Sequence, residues 1–398
     1  MQNNRGLFRR SSVAAGLLLS VGLSGCVDPY LPDVVGTNAN YLVVDGFING
    51  NGVTRIKLSR TINVATATAP PAEKGAKIFI VDNTGQRYAL TEKASGSYQS
   101  DSMVLNSTRQ YQLRITPAVG AAVYESSLVP LKVTPPIDNV KWKLDGNDIQ
   151  FSLSTHDAQL QSRYYRWSFI ETWQFNSAFE SRLEYDTKRE RIMPRKVPIY
   201  TCWRTERPST IKQSSTAQLS QDVLVDFPIL GASSRSERFT VRYSLLVSQY
   251  AETAAEFAYY DLLRKNTEAV GTVNDPLPTQ LTGNVHRLDK PDEPVLGYVG
   301  AHTVQQRRLF INRADIPYPF GWRFDTPYQA CDSLGKELRG DYKPPLPPGK
   351  SYIFQVPSNT PVGAIVSSSG NDTIGYTGAS TECVDCRLHG TLTKPSYW

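Results

Sequence analysis

Short runs of alternating apolar and polar residues, each closed by a turn signal, constrain this 398-residue chain more than any other feature. Val53-Thr-Arg-Ile-Lys-Leu58 sets Thr54, Ile56 and Leu58 against Val53, Arg55 and Lys57. Successive side chains of a strand point to opposite faces, so this run reads as a half-buried antiparallel strand. It follows the β-formers of Tyr41–Ile48 across Asn49-Gly-Asn-Gly52, a hairpin signal. Farther on, Val140, Trp142 and Leu144 alternate with lysines, Asp145-Gly146-Asn147 turns the chain, and Ile149, Phe151 and Leu153 alternate again. With 27 Gly, 26 Pro and 21 Tyr against three Met, the chain is expected to be mainly β. Its 40% apolar content supports a packed core and excludes wholesale disorder. A formal charge of +6 over 398 residues is too dilute to predict a nucleic-acid partner.

Runs at 76–81, 86–91, 96–100, 110–116 and 122–128, separated by turns such as Asp82–Gly85, predict an immunoglobulin-like β-sandwich over residues 41–134. Pro135-Pro136 marks a boundary, and a larger β-rich domain is expected over 137–398. Within it, 164–175 reads as an aromatic strand with Tyr165, Trp167, Phe169 and Trp173 on one face. Strands are also expected at 239–250, 295–300 and 308–311. One helix is predicted near 253–268. Thr253-Ala-Ala-Glu256 is a capping box, and Ala255, Tyr259, Leu262 and Leu263 recur at helical spacing. The basic stretch 188–207 is diluted by Glu184, Asp186, Glu190 and Glu206 and reads as a solvated loop or hairpin, with a partner-facing surface as the alternative. Pro344-Pro-Leu-Pro-Pro348 reads as part of a surface loop, with recognition in a polyproline conformation as the alternative.

The N-terminus carries an address. Arg5, Arg9 and Arg10 precede an apolar run at 13–22 that is too short to span a bilayer, which predicts an export signal over residues 1–25. Leu23-Ser-Gly-Cys26 resembles the bacterial lipobox, in which the cysteine thiol becomes the acyl acceptor and the new N-terminus. Lipidation at Cys26 is therefore expected. Two or three acyl chains at about 0.8 kcal/mol per buried CH₂ would hold the chain on a lipid bilayer. Residues 26–40, with two prolines and little periodicity, read as a tether.

Four further cysteines remain, Cys202, Cys331, Cys383 and Cys386. An even number in an exported chain predicts two disulfides, with three pairings open. The alternatives are a redox pair at Cys383-Val-Asp-Cys386 and a four-cysteine zinc site. Neither a metal nor a cofactor is expected. Four histidines, at 156, 286, 302 and 389, are scattered, and no metal-binding His-Glu-x-x-His, phosphate loop, nucleophile elbow or dinucleotide fingerprint occurs. His156-Asp157 reads as a strand-end turn. No catalytic residue is nominated.

Four passages stand out: Leu42-Val-Val-Asp-Gly46; Arg242–Tyr250 with its helix and Lys265-Asn-Thr-Glu268; Gly283-Asn-Val285 followed by Pro294-Val-Leu-Gly-Tyr298; and the ending Cys383-Val-Asp-Cys-Arg387, Gly390-Thr391 and Lys394-Pro-Ser-Tyr-Trp398. Together they resemble one family of Bacteroidota outer-membrane lipoproteins, domain of unknown function 4249. The resemblance covers residues 26–398. Members typically end in Phe-Trp and carry Gly-Gly in the tail, where this chain has Tyr397 and His389-Gly390. The resemblance implies a lipid-anchored outer-membrane protein, a TonB-dependent receptor as neighbour or partner, and no enzymatic activity. The expected function is non-enzymatic capture of a sugar or peptide ligand, or docking on such a receptor. The alternative is a surface hydrolase or adhesin whose site leaves no linear motif.

Overall fold

The computed structural model describes residues 40–62, 68–268, 281, 283–331 and 333–398. The export signal, Cys26 and the tether as far as residue 39 lie outside them, as does the Pro-rich stretch at 274–278.

The hairpin expected from the alternation forms from Leu42–Asn49 and Asn51–Arg60, with Phe47 opposite Arg55 and Asp45 opposite Lys57. From it a sheet runs through Ser97–Val104, Arg87–Ala94, Lys77–Asp82, Gln110–Thr116 and Tyr124–Ser126. Every second residue turns inward, so that Val44, Ile56, Leu58, Ile80, Tyr98 and Leu113 share one core. Both ends of this path are supplied from beyond residue 280. Val285–Arg287 pairs antiparallel with Tyr124–Ser126, and Ala301–His302 pairs parallel with the end of Leu42–Asn49. Sheet edges present unpaired N–H and C=O groups, and these two short segments cover them. The stretch 295–300, expected as a strand, instead makes a parallel bridge. The Leu296 amide donates to the Leu42 carbonyl at 2.9 Å, and the Leu296 carbonyl accepts from Val44 N–H at 2.8 Å.

The second core lies between two sheets. One is Ile137–Asp145, Asp148–His156 and Val223–Ser233; the other is Thr201–Glu206, Tyr164–Asn176, Arg242–Ala251 and Val304–Asn312, with Lys212–Ser215 alongside. Tyr165, Trp167, Phe169 and Trp173 are buried on one face, as their spacing predicts, and pack with Phe151, Tyr243 and Val247. The expected strand at 239–250 begins only at Arg242, because Glu237–Phe239 forms a 3₁₀ turn capped by Ser236. The basic stretch holds a hairpin, Leu183–Asp186 with Arg191–Pro194, and a strand, Thr201–Glu206. A further small sheet, Gly335–Leu338, Thr373–Ser380 and Asn359–Val366, contributes Tyr376 to a small core with Phe354 and with Ile192 of that hairpin. Leu346 in the proline run is buried, and its carbonyl accepts from Arg339 Nε at 2.6 Å, so the run is folded back onto the protein. The mainly-β architecture with one principal packed helix is what is observed.

That helix is Ala254–Glu268, and Glu256 N–H donates to Thr253 Oγ1 at 3.1 Å as the capping pattern requires. Its buried face differs from the expected stripe. Ala255 is exposed, whereas Glu256 is 1% exposed. The cysteines form Cys202–Cys386 and Cys331–Cys383. Cys383 and Cys386 therefore each bond a distant partner, which overturns the redox-pair and zinc alternatives.

Candidate functional site

Side chains on the polar parity of their strands meet where the first hairpin touches the second core. Phe47, Asn49, Asn51, Val53, Arg55, Tyr250, Val304 and Gln306 line a cleft of about 350 Å³. Phe47 shares its strand face with Asp45 and Asn49, and Tyr250 shares its face with Ser244, Leu246 and Ser248, opposite the core residues Val44 and Ile48 and Tyr243, Leu245 and Val247.

The hairpin tip is clamped in place. Asn51 Nδ2 donates to the Val304 carbonyl at 3.1 Å, and Val304 N–H donates to Asn51 Oδ1 at 2.8 Å. Gly50 N–H donates to the His302 carbonyl at 3.0 Å, and Ile48 N–H to that of Gly300 at 2.9 Å. Asn49 Oδ1 accepts from Asn51 N–H at 3.1 Å, so the turn uses both asparagines structurally. Gln306 Nε2 donates to Ser248 Oγ at 2.8 Å, and the Tyr250 hydroxyl bonds Ser168 Oγ at 2.7 Å.

Beneath the cleft lies a buried charged cluster. One face of Phe47 stacks on the His302 ring at 4.2 Å between centroids, and Tyr250 meets Phe47 edge-on at 5.2 Å. His302 is fully buried, with Nε2 3.5 Å from Glu256 Oε1. The Arg166 guanidinium lies over the Tyr260 ring at 4.1 Å and the Tyr250 ring at 4.9 Å, and Arg166 Nε donates to Glu252. Gln213 Nε2 donates to the other Glu252 oxygen at 2.9 Å. Burial alone would lower the Arg166 pKa, but Tyr260, Glu252 and Glu256 outweigh it and hold the cation. Burial raises the Glu252 carboxyl, partly offset by Arg166. Such a cluster is costly to break, because one missing partner leaves an uncompensated buried charge. It fixes the floor on which Phe47 and Tyr250 rest.

Among the described residues no nucleophile–base pair gathers at the cleft. His156 Nδ1 lies 2.8 Å from Asp138 Oδ2 rather than bonding its neighbour Asp157, and that hydrogen bond raises its pKa. Among the described residues it has no hydrogen-bonded Ser, Thr or Cys. A larger cavity of about 740 Å³ includes His156 in its lining, with Lys132, Pro135, Gln161 and Gln305, and among the described residues it is lined by no Phe, Tyr or Trp. A third, of about 390 Å³, borders Cys331 and Cys383. The site residues nominated from sequence thus divide: four cysteines form crosslinks, and Cys26 lies outside the described residues. The cleft residues went unnominated. Their signal was a large aromatic, Phe47, and an arginine, Arg55, at polar positions flanking an Asn-Gly-Asn-Gly turn.

Comparisons with known proteins add the following. No curated protein matches the sequence. Among solved structures, a DUF4785 family protein from Legionella pneumophila is 14% identical, covers 52% of this chain and 51% of its own, and has a TM-score of 0.17. A Bacteroides uniformis protein provisionally described as carbohydrate binding is 11% identical, with 54% and 90% coverage and a TM-score of 0.16. The Yersinia pseudotuberculosis adhesin InvE is 12% identical, with 54% and 58% coverage and a TM-score of 0.16. The chain thus spans about half the length of the first of these, and at such TM-scores the likenesses carry no argument. The model of the family described as Domain of unknown function (DUF4249) matches residues 27–308, which is most of the chain, and the protein belongs to that family.

Proposed function

We propose that the mature protein is an outer-membrane lipoprotein, acylated on Cys26, that captures a sugar or peptide ligand without transforming it and docks on a TonB-dependent receptor. The observation that carries this reading is the cleft. It combines a ring face, amides and a cation over a fixed floor, the composition of a small-molecule binding site rather than a reaction centre. Export is supported by the arginine-apolar-cysteine leader and agrees with two disulfides, which persist in oxidising compartments. Anchoring rests on the lipobox-like Leu23-Ser-Gly-Cys26.

The test is extraction of the full-length protein from its native membranes in mild detergent. Recovery of a TonB-dependent β-barrel with it is expected, together with labelling by a palmitate analogue that Cys26→Ser abolishes. Consistent absence of the receptor would sink the docking half of the reading, and labelling that survives Cys26→Ser would sink the anchor.

A further inference from the structure

We propose that the ligand of this cleft is an oligosaccharide bearing carboxylates, with Arg55 as its anion anchor and the open face of Phe47 as its stacking surface; the inference rests on the capture reading above. Arg55 is the one charged side chain on the lining, and it forms no ion pair among the described residues. Across the hairpin it faces Phe47, while the next carboxylate on that strand, Asp45, faces Lys57. The cleft therefore offers an uncompensated guanidinium beside an aromatic ring and no carboxylate of its own. A guanidinium fork matches a carboxylate with two parallel hydrogen bonds. Because His302 covers one face of Phe47, the face turned to the cleft is the one left for a sugar ring.

The same chemistry recurs along the sheet. Gln306 and Arg308 follow Val304 on one face of the strand Val304–Asn312, so Arg308 lies about 13 Å beyond Val304 at strand spacing. Arg308 Nη1 donates to Ser244 Oγ at 2.8 Å, and its guanidinium lies 3.5 Å over the Tyr397 ring. A cation beside an aromatic ring thus stands at each end of an uncharged stretch formed by Val304 and Gln306. An extended chain with carboxylates on more than one sugar would engage both.

The full-length protein in detergent is titrated with a short oligogalacturonate and with a neutral oligogalactose of equal length. At low salt the acidic probe is expected to bind at least about tenfold tighter. That preference should fall at least severalfold in Arg55→Gln, where only the Arg308 end remains, and persist undiminished in Arg87→Gln, an exposed arginine elsewhere on the sheet. Phe47→Leu should weaken both probes alike. Equal binding of the two probes, or a preference unchanged in Arg55→Gln, would overturn the inference while leaving ligand capture intact. Binding of neither probe also overturns it, while the receptor recovery described above judges the docking half of the proposed function separately.

Discussion

Asp82 turns inward at the end of the strand Lys77–Asp82, where burial alone would raise its carboxyl. The Thr84 hydroxyl, the Arg109 guanidinium and the N–H groups of Thr84 and Gln86 outweigh burial and bring it down to about 2. A carboxyl whose folded pKa lies below its unfolded one contributes stability that is present above the unfolded value and lost as the folded value is approached. This contribution should therefore fade as pH falls from about 4 towards 2. Urea midpoints measured across that window should fall less steeply for Asp82→Asn than for the unmodified protein, and parallel curves would refute the assignment. Glu252 has the opposite sign, because burial raises it, so its contribution is largest in acid and declines as pH rises through the raised value. The local part of this was legible: Asp82-Asn-Thr-Gly85 announces a turn. Arg109 was not, because it lies 27 residues away and only strand register brings it beside Asp82.

Individual elements were easiest to read where one rule applied to one face. Period-two alternation located both hairpins, and the Thr253 cap located the helix. Its buried face was misjudged because periodicity assigns burial to apolar residues, whereas Glu256 points inward to meet Arg166 and His302. The stretch 295–300 looked like a strand because of its apolar run, of which Val295 and Val299 are indeed buried, but its ladder reduces to the Leu296 bridge. Gly297 makes that bridge work. Its φ is +119°, and a Cβ there would stand 1.9 Å from the Val44 carbonyl oxygen, a backbone atom that cannot swing aside. Gly297→Ala is expected to cost about 3 kcal/mol or more, from steric overlap added to backbone strain. Chemical denaturation reads the loss directly, and a midpoint within error of the unmodified protein would show that the close approach does not exist. Asn51→Ala tests the neighbouring clamp: Val304 N–H loses its acceptor, and a loss of about 1–2 kcal/mol is expected. Hydrogen exchange should show that amide losing protection while the core of Tyr164–Asn176 keeps its own.

Across the whole molecule the joins between distant segments were the least legible. Nothing local in Val285–Arg287 or Ala301–His302 says that each caps an end of a sheet begun at Leu42, because a strand's partner is set by long-range packing rather than by its own pattern. The same limit applied to the cysteines, whose number predicted two bridges but left three pairings open. The observed pairing has a mechanical consequence. Cys202–Cys386 closes 184 residues and ties the strand Thr201–Glu206 to the chain terminus, whereas Cys331–Cys383 closes 52 residues nested inside it. Beyond Cys386 the tail exchanges backbone hydrogen bonds between Thr391 and Trp203 at 2.8 and 2.9 Å. It then seats Tyr397 against Thr172 at 2.9 Å and Trp398 Nε1 against Gln174 at 3.1 Å. In the chain-entropy model each bridge constrains the unfolded chain by about 4 to 5 kcal/mol, with engineered removals typically costing about 2 to 5. The double variant Cys202→Ser/Cys386→Ser should therefore lose several kcal/mol and, below its own melting temperature, lose exchange protection at Thr391 and change the fluorescence contributed by Trp398. Cys331→Ser/Cys383→Ser should lose comparable stability while leaving both tail signals in place, since its loop ends before the tail begins. Because Tyr397 packs on Arg308, the outer bridge is also expected to matter for acidic ligands at the Arg308 end of the cleft and not at the Arg55 end. If both double variants shift the tail signals equally, the outer bridge is not what holds the tail to the sheet.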